Sequence, residues 1–478
     1  MSGGLESIAA AQQDVLIPGL NFKLPQGASY VSQRRMATFF PQGSNIYSPQ
    51  GTRLIRFVIS DATNLLDLST FRLAFQLINT DATLPLQPTG HPGQCWFQRT
   101  RIYVGGCLVE DILLANRVSG MLNTVKPSDR RWAESLELLG AVSENPGTGS
   151  WTPGFVSGPF LSPLGANHSR TIVSPIFAGL FQTHYLLPGR FPITIELELV
   201  NNASQCLAAG DWNYPNPQAG QQGQPATIQA PYSQAFSMQN VRILADVVTV
   251  DNAVQEELSR VLLSGGALPM HLTSYSTTMH NLQLNFAPNQ SWAVTLSRAF
   301  SRIKDIWVTF DNDASHGHIL TESNSFLNWH GKISPAAYEI WGASNYYVSD
   351  NGEGWRFQMT TGSLIFPDLP MSSSQEAWYQ LSKVLGLHSS LESVSIPPGE
   401  WLGNNFIIAL DMEKMSSSPG AGYAAFTGLS TRNAGDTLRF AFDNVNPRNG
   451  YAVPSRMYVT LHMDLVLELR AEGCVLLD

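Results

Sequence analysis

Hydrophobic and polar residues alternate along much of this chain with a period of two, the pattern of strands that bury one face. Phe71, Leu73, Phe75 and Leu77 alternate with Arg72, Ala74 and Gln76. Ile193, Ile195, Leu197 and Leu199 alternate with Thr194, Glu196 and Glu198. Further strands are predicted at 95–104, ending in Gly105-Gly106, at 171–187 and at 241–250. In the second half they are predicted around Leu282–Phe286, Trp292–Leu296, Ile306–Phe310, Phe406–Leu410, Leu438–Phe442 and Met457–Leu469. The run Arg53–Ile59 carries apolar residues on both faces, as expected of a strand inside a sandwich.

The helical period of 3.6 surfaces only briefly. Leu114, Val118, Met121 and Leu122 form a stripe that Asp111 could cap. Val254, Leu258, Val261 and Leu262 form another, with Asn252 and Gln255 placed as a capping box and Gly265-Gly266 as its end. A third stripe, Leu381, Val384 and Leu385, lies between Ser373, with Glu376 three residues on, and Gly386. Stretches rich in Gly, Pro, Ser, Asn and Gln at 140–170 and 205–235 read as long loops.

Two echoes divide the chain. Pro188–Leu199 and Pro454–Leu465 share the pattern P-x-R-x-x-[IV]-T-[IL]-x-[LM]-[ED]-L. Gly106-x-Leu108-Val109 ahead of Asp111 is matched by Gly362-x-Leu364-Ile365 ahead of Asp368, each followed by an amphipathic helix. Repetition in the same order implies two like units, and the first echo makes Pro454–Leu465 the expected counterpart of Pro188–Leu199. The predicted fold is all-β: two tandem eight-stranded jelly rolls with short helices in inter-strand loops. The expected division is an N-terminal arm at 1–45, a first jelly roll at 46–250, a linker helix at 251–268, a second jelly roll at 269–470 and a C-terminal tail at 471–478.

Composition narrows the function. Only 14% of the 478 residues are charged, against about 25% in ordinary globular proteins. That deficit suits a protein that hides much of its surface against other subunits. A net charge of −9 argues against strong nucleic-acid binding, and Arg34-Arg35 is the one basic spot in the arm. No apolar run reaches the length of a membrane span, and MSGGLESIAAAQQDV lacks the layout of a secretory signal. Glycosylation at Asn167, Asn202 or Asn289 and a disulfide framework among Cys95, Cys107, Cys206 and Cys474 are accordingly not expected.

Candidate chemistry is sparse. Asp311, Asp313, His316 and His318 could converge on one cation, although a polar turn after a strand is the simpler reading. Glu196 and Glu198 share a strand face, but a glycosidase pair normally faces across a cleft from opposed elements. No nucleophile elbow, Walker loop or H-E-x-x-H spacing occurs, and no cofactor or catalytic residue is expected.

Matching stretches run along most of the chain. They are FFPQGSNIYSPQG at 39–51 with RLIRF at 53–57, LSTFRLAF at 68–75, RIYVGG at 101–106 with VED at 109–111, and LLSGGALP at 262–269. They continue with GSLIFPD at 362–368, EAWYQL at 376–381, FTGLSTR at 426–432 and LHMDLVLELR at 461–470. By their order and coverage the chain resembles double jelly-roll major capsid proteins of eukaryotic DNA viruses. The likeness is to the polinton-like type, with virophages, nucleocytoplasmic large DNA viruses and the adenovirus hexon as more distant kin. The resemblance implies a non-enzymatic virion protein, assembled in the infected cell. It would form homotrimeric, pseudo-hexameric capsomers that tile an icosahedral shell, and its partners would be neighbouring capsomers, penton and minor capsid proteins. LSGG at 263–266 also resembles a cleavage motif of adenovirus-type maturation proteases, though the glycines suffice as a helix end. The alternative is a tandem β-sandwich carbohydrate-binding protein or glycosidase.

Overall fold

The computed structural model describes residues 31–86, 88, 93–126, 164–207, 210–213, 227–282, 290–311, 356–386, 407–414, 427–432, 437–445 and 456–477. Its first half carries strands β1 (Val31–Phe39), β2 (Ile46–Tyr47), β3 (Leu54–Ile59), β4 (Leu65–Asn79), β5 (Phe97–Val104) and β6 (Cys107–Leu113). Helix α1 (Ala115–Val125) follows, then β7 (Ser169–Pro175), β8 (Leu186–Pro188), β9 (Ile193–Leu199), β10 (Gly210–Asn213), β11 (Thr227–Pro231) and β12 (Phe236–Val250). Helix α2 (Asn252–Leu263) leads to β13 (Leu268–Asn281), β14 (Gln290–Leu296), β15 (Ile303–Asp311), β16 (Arg356–Thr361) and β17 (Leu364–Met371). Helix α3 (Ser374–Val384), β18 (Ile408–Asp411), β19 (Leu438–Val445), β20 (Arg456–Arg470) and β21 (Gly473–Leu477) complete it.

The strand orders define the architecture. One sheet of the first half runs β1-β12-β4-β7 and the other β3-β9-β5-β6. In the second half the sheets run β13-β20-β15-β18 and β14-β19-β16-β17. Set aside the short β2, β8, β10, β11 and β21. Each half then places its first, eighth, third and sixth strands in one sheet and its second, seventh, fourth and fifth in the other. That is the order of an eight-stranded jelly roll, and it occurs twice.

Each sandwich is held by the alternating apolar residues of its two inner faces. Phe75 of β4 meets Phe97 of β5 edge-on, with ring centroids 6.3 Å apart, which joins the two sheets of the first half. Phe310 of β15 meets Phe442 of β19 at 5.6 Å and does the same in the second. Phe57, Phe75, Phe97, Phe310 and Phe357 are fully buried, each worth about 1.5–3 kcal/mol of transfer free energy.

The structure revises several sequence-based expectations. Residues 31–39, placed in the arm, form β1 and pair along β12 from Phe39↔Ile243 to Val31↔Val250. The tail contains β21, which pairs back onto the end of β20. The first strand of the second half runs Leu268–Asn281, starting at the last residue of the expected linker and ahead of the expected Leu282–Phe286 strand, of which 283–286 lie outside the described residues. Arg53–Ile59 is covered on one face only: Ile55, Phe57 and Ile59 are buried, while Leu54 and Val58 are exposed. The 205–235 loop contains the β10–β11 ribbon, and residues 140–163 of the expected 140–170 loop lie outside the described residues.

Helix signals fared unevenly. Asp111 does not cap α1; it lies in β6 and accepts from Arg99 at 2.7 and 2.6 Å. The N-cap position belongs to Leu114, so the buried stripe is Val118 and Met121. Asn252 is the first residue of α2 and Asp251 its N-cap, while Gln255 reaches the Thr63 carbonyl at 2.8 Å instead of closing a capping box. In α3 Ser373 caps as expected, its Oγ accepting from Glu376 N at 3.3 Å, while Glu376 Oε2 accepts from Ser372 N at 2.7 Å, one residue ahead of the N-cap N–H that a capping box would use.

The two echoes separate. The β5–β6 turn is closed by Val104↔Cys107 and the β16–β17 turn by Thr361↔Leu364. These are fourth-to-fifth strand turns in both sandwiches, each with a helix after its fifth strand. Gly105 (φ 55°), not the expected Gly106, occupies the turn position of Gly362 (φ 53°), where the left-handed backbone favours glycine, so the echo holds one residue out of its expected register. The Pro-x-Arg echo is not a structural repeat: β9 is a seventh strand and β20 an eighth, so Pro454–Leu465 is not the counterpart of Pro188–Leu199.

Candidate functional site: the seam between the sandwiches

The sandwiches meet along sheet edges. β6, the edge of the first half's β3-β9-β5-β6 sheet, packs against β13, the edge of the second half's β13-β20-β15-β18 sheet, and against β21. An uncovered edge strand invites uncontrolled pairing, and here each sandwich covers an edge of the other.

Glu110 sits at the centre of the seam, fully buried. Its Oε2 accepts from Gly179 N at 2.9 Å and its Oε1 from Leu180 N at 2.7 Å, at the start of the 3-10 turn Gly179–Gln182. Ser274 Oγ of β13 donates to Oε2 at 2.8 Å from the other sandwich. Burial pushes the Glu110 carboxyl above its ordinary pKa, and the three hydrogen bonds oppose that rise. Gly179 is required by closeness: a Cβ there would lie 1.4 Å from the Thr273 carbonyl oxygen of β13.

Aromatic and charged groups extend the contact. Phe177 stacks on Tyr275 at 5.4 Å, and Tyr275 stacks on His462 at 4.7 Å. His462 Nδ1 lies 2.7 Å from Asp305 Oδ2, and the Trp307 indole donates to the same carboxyl. The Arg117 guanidinium of α1 lies over the Tyr458 ring at 4.4 Å. An open groove of about 550 Å³ runs beside the seam between Arg99 and Glu198 on one side and Thr277, Met279, His280 and Arg298 on the other. None of this was legible in the sequence, because the partners are far apart along the chain. The one trace was a carboxylate inside a strand, at Glu110.

Of the residues singled out from the sequence, Glu198 borders this groove and the others lie away from it or outside the described residues. Asp311 is the last residue of β15; Asp313, His316 and His318 lie outside the described residues. No group of three metal-ligating side chains occurs among the described residues. On the outer face of the first sandwich Glu196 lies between Arg56 (3.6 Å) and Arg101 (3.3 Å), and Glu198 pairs with Arg53 at 3.1 Å. Arg34 bonds Asp246 at 2.7 Å and Asp67 at 2.9 Å, so its charge is matched within the sheet.

Of the first-strand and fifth-strand edges, one of each is open. Among the described residues, no strand pairs with the outer edge of β1 or of β17. In their sheets β1 and β17 hold the same positions as β13 and β6. Met36 (68% exposed) and Phe40 (70%) lie on or beside β1, and Leu364, Ile365 and Leu369 (81%) lie on β17, with Tyr379 of α3 also exposed.

No protein-family model and no curated protein matches the sequence. Solved structures do match across nearly the whole chain. PBCV-1 VP54, as fitted into a reconstruction of the virophage Sputnik, aligns over 96% of this chain and 99% of its own at TM-score 0.60 and 10% identity. The Faustovirus major capsid protein aligns over 96% and 93% at 0.58 and 10%, and a chain of the Sputnik virophage structure over 97% and 92% at 0.54 and 13%. Strand order and whole-chain superposition agree: this chain has the double jelly-roll fold seen in those viral capsid structures.

Proposed function

We propose that the chain is a non-enzymatic capsid subunit, built into virions as trimeric, pseudo-hexameric capsomers that tile an icosahedral shell. The observation that carries this reading is the seam together with its two open counterparts. Within the chain a fifth-strand edge (β6) covers a first-strand edge (β13). Each copy leaves one more edge of each kind, β17 and β1, both flanked by exposed apolar side chains. The occupant of β17 is the β1 edge of a second copy, in a head-to-tail contact that repeats the intrachain one. Heterologous contacts of this kind generate a ring where the rotation closes. Closure after three chains gives six like sandwiches around an axis, which is the trimer that the family resemblance implies. The charged fraction of 14% supports a surface largely covered by neighbours. Penton and minor capsid proteins are the further partners this reading expects.

The test is an edge-disrupting pair, Ile365→Glu with Leu369→Glu. Both residues are exposed in the single chain, so the sandwiches should fold normally while trimers are lost. An unchanged oligomer would remove β17 from the contact. A wild-type monomer that binds or cleaves saccharide would replace the capsid reading with the carbohydrate one.

A further inference from the structure

The four cysteines are distributed as two couples, and the couples differ in access. Cys95 and Cys206 are both fully buried in the first sandwich. Cys107 opens β6 directly after the Gly105-Gly106 turn, and Cys474 lies in β21. These two are partly exposed free thiols. Strands β6 and β21 pack together across the seam. The Cys474 sulfur lies against the turn that starts β6: a Cβ on Gly105 would stand 2.8 Å from Cys474 Sγ and 3.9 Å from Cys474 Cβ. Val104 and Cys107 are the pair that closes this turn, which holds Cys107 beside the same spot. Burial pushes the Cys474 thiol up to about 11, and the charge of Cys107 acts in the same direction.

We propose that Cys107 and Cys474 are an oxidisable pair that forms a disulfide across the seam, tying the last strand of the chain to the first sandwich. The oxidant is a small dialkyl disulfide of the glutathione type. The Cys107 thiolate attacks one sulfur of that disulfide and expels one thiolate. Cys474 loses its proton to solvent, attacks the Cys107 sulfur of the mixed disulfide and expels the second. Two protein thiols are oxidised and one small disulfide is reduced to two thiols. Cys107 is the first attacker because the raised pKa of Cys474 leaves little thiolate there. The Cys95–Cys206 couple is shielded from the reagent by its burial. The link would lock the sandwiches together without a new strand or a bound ligand, and it does not depend on the capsid reading.

The experiment treats the intact native chain with oxidised glutathione at about pH 8.5, where thiolate is available. Thiols are then counted after denaturation, and peptides are mapped without reduction. The expected result is a fall from four free thiols to two, with one linked peptide joining Cys107 to Cys474 in the monomer band. In Cys474→Ser the same treatment should leave a glutathione adduct on Cys107 and no internal link. Four surviving thiols, a Cys95–Cys206 link, adducts without a link in the wild type, or links only between chains would each overturn the proposal.

Discussion

Glu110 is a carboxylate in a place where a charge is costly, held by donors from both sandwiches. Removing it in Glu110→Ala leaves two backbone N–H groups and the Ser274 hydroxyl without their acceptor. The expected loss, measured by chemical denaturation, is about 3 kcal/mol. The pH dependence has a definite sign. Burial raises the folded-state pKa, so the contribution of Glu110 is fullest below the unfolded value and falls as pH rises through the folded one. The denaturation midpoint of the wild type should therefore gain on that of Glu110→Gln as pH is lowered from about 7 to about 5. A gap that is flat or widens the other way would mean that Glu110 is not held above its ordinary pKa. Gly179→Ala probes the same contact by shape. A methyl 1.4 Å from the Thr273 oxygen cannot be housed, so the sandwiches should separate and the α2 segment should become sensitive to limited proteolysis. Gly106→Ala is the control: no atom crowds its Cβ position and only the φ of 85° is unfavourable, a cost of about 1 kcal/mol.

Strands and helices differ in how plainly the sequence announced them. The β5–β6 turn and its counterpart were legible to within one residue: a left-handed turn position selects glycine in both halves, but with Gly105 and Gly106 both at positive φ the sequence pattern paired the wrong one with Gly362. The Pro-x-Arg echo misled because period-two alternation belongs to any strand with one buried face. It carries no information on whether a strand is seventh or eighth in a sandwich. β1 was hidden because Val31–Phe39 has Arg34 and Arg35 at its centre, and Arg34 is accommodated by Asp67 and Asp246 on neighbouring strands, beyond any local pattern. Asp111 looked like a cap because capping residues also serve as cross-strand partners, here of Arg99. The position of β1 leads to a prediction. Removing residues 1–30 should leave both sandwiches folded, because every described strand remains. Removing residues 1–45 also strips β12 of its β1 neighbour and should lower the thermal midpoint of the first sandwich by several degrees or unfold it. Equal midpoints for the two truncations would show that β1 contributes nothing to the sheet.

For the whole chain, all-β class and twofold repetition were readable from alternation, turn glycines and the placement of the helices. The seam was not, since it joins Glu110 to Ser274 and Phe177 to Tyr275 across long separations. The candidate metal cluster stands as a sequence pattern, with only Asp311 inside a described strand. The central claim is that the chain repeats its own seam between copies, with β17 of one covering β1 of the next. Native mass spectrometry of the full-length chain, alongside the Ile365→Glu, Leu369→Glu variant, tests it most directly. The account predicts a closed species of three chains for the wild type and folded monomers for the variant. A wild type that stays monomeric at every concentration, or a variant that still forms three-chain species, would contradict it.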